Sequence, residues 1–198
     1  HQQGESSTVT EAYVKWNQKN EIVGYVETYP EYTKFCDPGK KVKMYFVAYL
    51  NKIPKSVGTF IDSVQTPGNI ESKGINNGLY LTFDMKEGEI LEIQTGLSYT
   101  SIENARLNLN TEAKGITFDE VKMKANQIWN DMLSRIKVEG GDSLNIVKFY
   151  TGLYHALLGR GISSDCNGQY PQVDGRIGQI PLDQNGIPTH KHYNTDGM

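Results

Sequence analysis

The chain has 198 residues, of which 37% are apolar and 22% charged, with 20 Lys and Arg against 23 Asp and Glu for a formal net charge of −3. That is length enough for a buried core in one or two domains and too much apolar content for a disordered chain, while the mildly acidic balance gives no electrostatic basis for nucleic-acid binding. No run of about 18 apolar residues is present, so no membrane span is read, and two cysteines, Cys36 and Cys166, are too few for a disulfide scaffold and read as free thiols.

The first hundred residues carry strand patterns. Thr8 to Trp16 and Glu21 to Tyr29 alternate on either side of a Gln18-Lys19-Asn20 turn. In Lys41 to Leu50, the residues Val42, Met44, Phe46, Ala48 and Leu50 share one face and Lys43, Tyr45, Val47 and Tyr49 the other. A period of two with one apolar and one mixed face predicts a strand covered mainly on one side. Ser56 to Ser63, Leu79 to Met85 and Glu89 to Tyr99 follow between the turn signals Asp37-Pro38-Gly39, Pro67-Gly68-Asn69 and Asn76-Asn77-Gly78. Six such strands predict an antiparallel sandwich.

After Tyr99 the period changes. Ser101 is placed to cap a helix through Ala113. Thr117 with Glu120 forms a capping box ahead of a stripe of Phe118, Val121, Ala125, Ile128, Trp129, Met132 and Ile136, which Gly140-Gly141 should end. A third helix is predicted from Asp142 or Ser143 through Arg160, burying Leu144, Val147, Tyr150 or Thr151, Tyr154, Leu157 and Leu158. Gly161 to Met198 has almost no regular pattern, yet its interspersed Tyr170, Ile177, Ile180, Leu182, Ile187 and Tyr193 are not those of a disordered tail. The expectation is an internal segment of a larger protein, with domains at 1–100, 101–141 and 142–198.

Most short motifs fail on their own terms. Gly159-Arg160-Gly161 has Ser164 where a dinucleotide fingerprint needs its third glycine, and it follows a helix. Asp165-Cys166-Asn167-Gly168 lacks the glycine and glutamate spacing of a calcium-binding EF-hand loop. It reads as a turn, with a carboxylate and amide lining a sugar or ion site as the alternative. His190-Lys191-His192 offers too few ligands for structural zinc, so the imidazoles read as exposed loop residues. His155, inside the third helix, reads as a hydrogen-bonded structural histidine. Ser163-Ser164 with His155 and Asp165 lacks the G-x-S-x-G elbow. The carboxylates Glu27, Asp84, Glu87, Glu89, Glu92, Glu103, Glu112, Asp119 and Glu120 cannot be paired by spacing, and Asp119, Glu120, Lys122 and Lys124 read as a solvated face. Twelve tyrosines leave open sugar stacking on the sandwich or plain strand preference.

Longer blocks say more. Phe149 to Leu158, then Ser164-Asp165-Cys166-Asn167-Gly168-Gln169-Tyr170 and Asp174-Gly175, resemble the junction segment of glycoside hydrolase family 92, the calcium-dependent exo-acting α-mannosidases. Gly96-Leu97-Ser98-Tyr99 running into Ser101 to Leu109 resembles the family's last sandwich strand and first linking helix, and Phe118 to Trp129 its second. The blocks occur in the family's order from about Lys41 onward. The resemblance implies an α+β chain: the late strands of an antiparallel β-sandwich, linker helices, and the start of an (α/α)6 barrel. It implies hydrolysis of terminal α-linked mannose, α-1,2 in the first instance, with inversion and with calcium as cofactor. Mannose-containing glycans and the rest of the parent chain (its helical barrel) are then the partners, and a periplasmic or extracellular bacterial location follows from the substrate. No catalytic residue and no metal ligand is assigned within the chain, which alone should be inactive. Tyr193-Asn194-Thr195-Asp196-Gly197-Met198 stands where many members carry Phe-Ser-x-Trp-Asp-Thr, so Asp196 is the expected substrate-binding residue, as a ligand to sugar hydroxyls, beside its reading as a turn residue. The alternative function is a non-catalytic carbohydrate-binding sandwich.

Overall fold

The computed structural model describes residues 7–17, 19–31, 33, 37–158 and 161–194. The chain divides into two compact units, His1–Lys114 with Ser164–His190, and Gly115–Ser163 with Lys191–Met198.

The first unit is built on a five-stranded antiparallel sheet. Its strands β1 (Ser7–Asn17), β2 (Glu21–Pro30), β3 (Val42–Leu50), β6 (Glu71–Gly74) and β8 (Ile93–Ser98) run in the order β6-β1-β2-β3-β8. The turn after β1 closes because Asn20 accepts a φ of +57°, a left-handed conformation that asparagine tolerates. A three-stranded sheet of β4 (Ser56–Ile61), β5 (Val64–Pro67) and β7 (Asn77–Thr82), ordered β5-β4-β7, lies against the β6–β1 side. Asn69 ties the two sheets by donating to Thr59 Oγ1 at 3.0 Å and to the Glu71 carbonyl at 2.8 Å. This is the sandwich-like arrangement the alternation predicts. β5 and β6 were not expected; each has only four residues, too few and too polar to show a period. β7 begins two residues earlier than predicted, since Gly78 pairs with Phe60 and its missing side chain leaves room for the Phe60 ring.

Helix α1 (Ile102–Glu112) covers one end of the large sheet. Its backbone approaches β8 so closely that a Cβ on Gly96 would collide with the Ala105 carbonyl. Val23, Val47, Ala105 and Leu109 form the buried cluster beneath it, with Tyr45, Ile102 and Ala113 around the rim. The mixed face of β3 is therefore covered as well: Val47 is wholly buried, as is Leu50 on the opposite face. Arg106 fixes the helix laterally through a bidentate pair with Glu21, at 2.8 and 2.9 Å, which holds the Glu21 carboxyl below the usual range.

The second unit contains α2 (Phe118–Leu133) and α3 (Ser143–Leu158), with β9 (Gly161–Ile162) paired to β12 (Tyr193–Asn194). The capping box at α2 is complete: Thr117 Oγ1 accepts from the Glu120 amide and Glu120 accepts from the Thr117 amide. Two expectations fail here. α2 stops at Leu133, well before Gly140, because the chain leaves the helix to meet α3, where Tyr150 donates to the Ile136 carbonyl and accepts from the Val138 amide. The side of α3 predicted to be buried is exposed, with Leu144 at 61%, and the apolar stripe of α2 is exposed at Phe118, 71%. Within the unit these helices meet at few points, chiefly Trp129 against Tyr154, whose ring centroids are 4.5 Å apart.

Candidate functional site

β8 ends at Ser98, and Tyr99 to Ser101 turn the chain into α1, which Ser101 caps by accepting from the Asn104 amide at 3.0 Å. Four-residue spacing puts Asn104 and Asn108 on one helix face one turn apart. Asparagine is a poor helix-interior residue, and both here are buried. They point at a tight turn from the returning segment. In that turn the Gly168 amide donates to the Asp165 carbonyl and the Asp165 amide to the Gln169 carbonyl, both at 2.8 Å, with Gly168 at φ +85°. β10 (Gln169–Pro171) and β11 (Ile177–Gln179) then form a hairpin.

The Asp165 carboxylate, only 5% exposed, is the centre of this arrangement. Its Oδ1 accepts from Asn108 Nδ2 at 2.7 Å. Its Oδ2 accepts from Ser98 Oγ at 3.0 Å, from Asn104 Nδ2 at 3.1 Å and from Thr100 Oγ1. Those four donors are neutral; three meet Oδ2 and one meets Oδ1. The amides also cross to the turn: Asn108 Oδ1 accepts from the Cys166 amide at 2.9 Å, Asn104 Oδ1 accepts from Asn167 Nδ2 at 3.0 Å, and the two hydrogens of Asn104 Nδ2 are shared among Asp165 Oδ2, Thr100 Oγ1 and Gln169 Oε1. A carboxylate so surrounded, at 5% exposure, is turned inward rather than presented to a sugar. The turn reading of 165–168 holds, but the carboxylate serves as an internal anchor.

A cleft beside this cluster, of about 210 Å³, is lined by Thr95, Gly96, Leu97, Asn108, Leu109 and Glu112. It falls below the 300 Å³ or so at which small-ligand sites begin. On the same sheet face, Tyr13, Tyr25 and Tyr45 form a cross-strand ladder with centroids 5.5 and 5.8 Å apart. Lys43 Nζ lies 4.4 Å from the Tyr25 centroid, Tyr25 donates to Glu11, and Tyr13 to Glu71 at 3.1 Å. Hydrogen bonding to Tyr25 and the neighbouring Lys73 hold Glu11 below its ordinary pKa, whereas burial and then Glu71 raise Tyr13. Tyr13 and Tyr25 thus stack on one another, while Tyr45 meets Tyr25 edge-on.

The other sequence candidates separate. Asp196, Cys36, Gly159 and Arg160 lie outside the described residues. His155 is exposed on α3 with its ring edge-on to Tyr154, not buried as a structural histidine. His190 and His192 are exposed, beside the Thr189 and Ser163 hydroxyls respectively. Glu27, Asp84 and Glu89 are in ion pairs with lysines, and Asp119, Glu120, Lys122 and Lys124 are exposed as expected. No group of three His, Cys, Asp or Glu that could hold a metal occurs among the described residues, and no described helix is long and apolar enough to cross a membrane. Sequence reasoning missed the four donors around Asp165; two buried-side asparagines at i, i+4 were the available signal.

Two family models match the chain in succession. Residues 1–98 match the glycosyl hydrolase family 92 N-terminal domain, and residues 104–197 match the family's catalytic domain. Among solved structures, a family GH92 α-mannosidase from Bacteroides thetaiotaomicron superposes with a TM-score of 0.79 at 24% identity, covering 94% of this chain and 24% of that one. A family GH92 inverting mannosidase from Bacteroides thetaiotaomicron VPI-5482 gives 0.79 at 24% identity over 96% of this chain and 24% of its own. A third GH92 glycosyl hydrolase gives 0.75 at 22% identity, again over 24% of its length. At these identities the likeness is one of fold, and the chain spans about a quarter of each structure. No curated protein matches.

Proposed function

Since the chain belongs to glycosyl hydrolase family 92, we propose that it is a section of an enzyme that removes terminal α-linked mannose, α-1,2-linked in the first instance, from glycans. The observation that carries this reading is the succession of the family's N-terminal and catalytic domain models along one chain. The domain assignment that goes with it is sandwich over 1–100, linker over 101–141, and the start of the helical barrel over 142–198.

Inversion is the expected outcome. It requires one carboxylic acid to protonate the leaving oxygen and a second carboxylate, roughly 6.5–9.5 Å away, to activate water. None of the described carboxylates is assigned either role, so the section alone should be inactive. Calcium is proposed for the parent enzyme, with its ligands elsewhere. The buried oxygens of Asp165 do not suit it, because the surrounding N–H and O–H groups converge as they do on an anion. Asp196 is proposed to bind a sugar hydroxyl, and a periplasmic or extracellular bacterial location goes with a glycan substrate. The binding-module alternative is weaker, since the family's catalytic-domain model also matches residues 104–197.

The test is mannose release from α-1,2-mannobiose by the parent protein, with and without EDTA. Release that EDTA abolishes is expected, with loss of affinity for mannose in Asp196→Ala. No release from this or other α-mannosides would overturn the enzyme reading.

A further inference from the structure

The ring around Asp165 has a hydrogen-bond polarity that the carboxylate does not itself impose. Ser98 Oγ accepts from the backbone amides of Thr100 at 2.9 Å and Ser101 at 3.3 Å. Its lone pairs are thereby engaged, and its proton lies between Asp165 Oδ2 and Thr100 Oγ1, each 3.0 Å away. Thr100 Oγ1 accepts from Asn104 Nδ2 at 2.7 Å and donates to Asp165 Oδ2. Asn108 Nδ2 donates to the Leu97 carbonyl at 2.8 Å, an acceptor that cannot change role, so its amide nitrogen is turned toward the corner. The result is a pocket of preset donors on a strand end and one helix turn, positioned before the returning segment arrives.

That segment contributes little apolar burial. Of its apolar side chains Ile180 is buried, at 2% exposure, while Val173, Ile177, Leu182 and Ile187 stay exposed, from 48% for Leu182 to 77% for Val173. Burial of one isoleucine cannot balance the ordering of some twenty residues at roughly 1–2 kcal/mol each. The hydrogen bonds that cross to β8 and α1 converge on Asp165 and the four residues after it.

We propose that Ser98, Thr100, Asn104 and Asn108 form a carboxylate-binding site whose ligand is Asp165 of the chain's own returning segment, a clasp that fastens residues 164–181 to the sandwich unit. The clasp is independent of the mannosidase reading and of the parent's activity. A receptor whose donors are preset should also accept a free carboxylate once its own ligand side chain is removed. Asp165→Ala leaves space for formate, which carries the same two oxygens without the tether.

Hydrogen exchange of the full chain, read by mass spectrometry, tests this. In Asp165→Ala the amides of Gly168 and Ile180, which now donate to the Asp165 and Gly168 carbonyls, should exchange faster by a hundredfold or so. The β1–β3 amides should keep their rates. Formate at tens of millimolar should restore protection in Asp165→Ala, sodium chloride at equal ionic strength should not, and formate should fail in Asp165→Ala/Asn108→Ala. Unchanged protection of the segment in Asp165→Ala would overturn the clasp. Loss that formate does not restore, or that chloride restores equally, would overturn the receptor. Should Asp165→Ala unfold as a whole, Thr100→Val removes a single donor. Local exchange about tenfold faster is then expected, and unaltered rates at 164–181 would refute the proposal.

Discussion

Replacing Gly96 with alanine probes how tightly α1 is pressed onto the sheet. The added Cβ would collide with the Ala105 carbonyl and stand 2.7 Å from Leu109 Cβ and 2.9 Å from the Leu109 amide nitrogen. Carbon atoms in contact settle at about 3.5–4.0 Å, so the helix must retreat by roughly 1 Å. Two of the three encroached groups are backbone, which cannot rotate aside. The retreat opens the cluster of Val23, Val47, Ala105 and Leu109 and stretches the Arg106–Glu21 pair. Overpacking of this kind costs about 1–3 kcal/mol, and the upper half of that range is expected because both sheet and helix are backbone at the contact. Gly152, inside α3, is the control: a Cβ there meets nothing within 4 Å, and alanine should stabilise that helix by about 0.5–1 kcal/mol. Urea unfolding followed by tryptophan fluorescence separates the two units, since Trp16 is buried in β1 and Trp129 lies on α2. In a Trp129→Phe background, the Trp16 transition of Gly96→Ala should move to lower urea by about 1 M. A midpoint within error of the parent's would refute the close packing of α1 on β8.

Glu27 accepts from Lys41 at 2.8 Å, Thr10 at 2.8 Å and Lys43 at 3.3 Å, which hold its carboxyl down at about 2. A carboxyl depressed by folding stabilises above its unfolded value of about 4.3 and loses that contribution as pH falls through the folded one. The stability gap between the parent and Glu27→Gln, measured by urea titration, should therefore be full at neutral pH, shrink below about 4.5 and vanish near 2; a gap constant over that range would refute the assignment. Thr117→Ala removes the side-chain half of the α2 capping box, the hydroxyl that accepts from the Glu120 amide, and should cost that helix about 1 kcal/mol, read as faster amide exchange at Val121 and its neighbours with no change in β1–β3.

What could be read from the sequence depended on how local the deciding interaction was. The alternation in β3 and the Thr117–Glu120 box concern residues that touch within one element, and both appear in the structure where expected. The end of α2 was misplaced because it is set by Tyr150, more than ten residues away, and the glycine pair that signals a stop comes later. β5 and β6 were invisible because their four-residue lengths are specified by partners, β4 and β1, rather than by their own pattern. A buried side was assigned to α3 on amphipathicity alone, which says which face is apolar and not what covers it.

The candidate site followed the same rule with one difference. Asp165 was recognisable as a turn residue from Asn167 and Gly168 beside it, while its role as anchor depends on Ser98, Thr100, Asn104 and Asn108, about sixty residues earlier. Yet Gly96 to Tyr99, Ser101 to Leu109 and Ser164 to Tyr170, three of the blocks that carry the family resemblance, are the ones that meet at this carboxylate. Gly96 lets α1 approach, Asn104 and Asn108 then reach the corner, and Gly168 lets the turn present Asp165 to them. Each block is unremarkable alone: a strand end, a capped helix, a turn. A helix that buries two asparagines is stable only if their amides are satisfied, and a turn that buries an aspartate only if its charge is. Each thus supplies what the other lacks, which explains why separated blocks in a fixed order could be read as one signature when no single motif in the chain was specific.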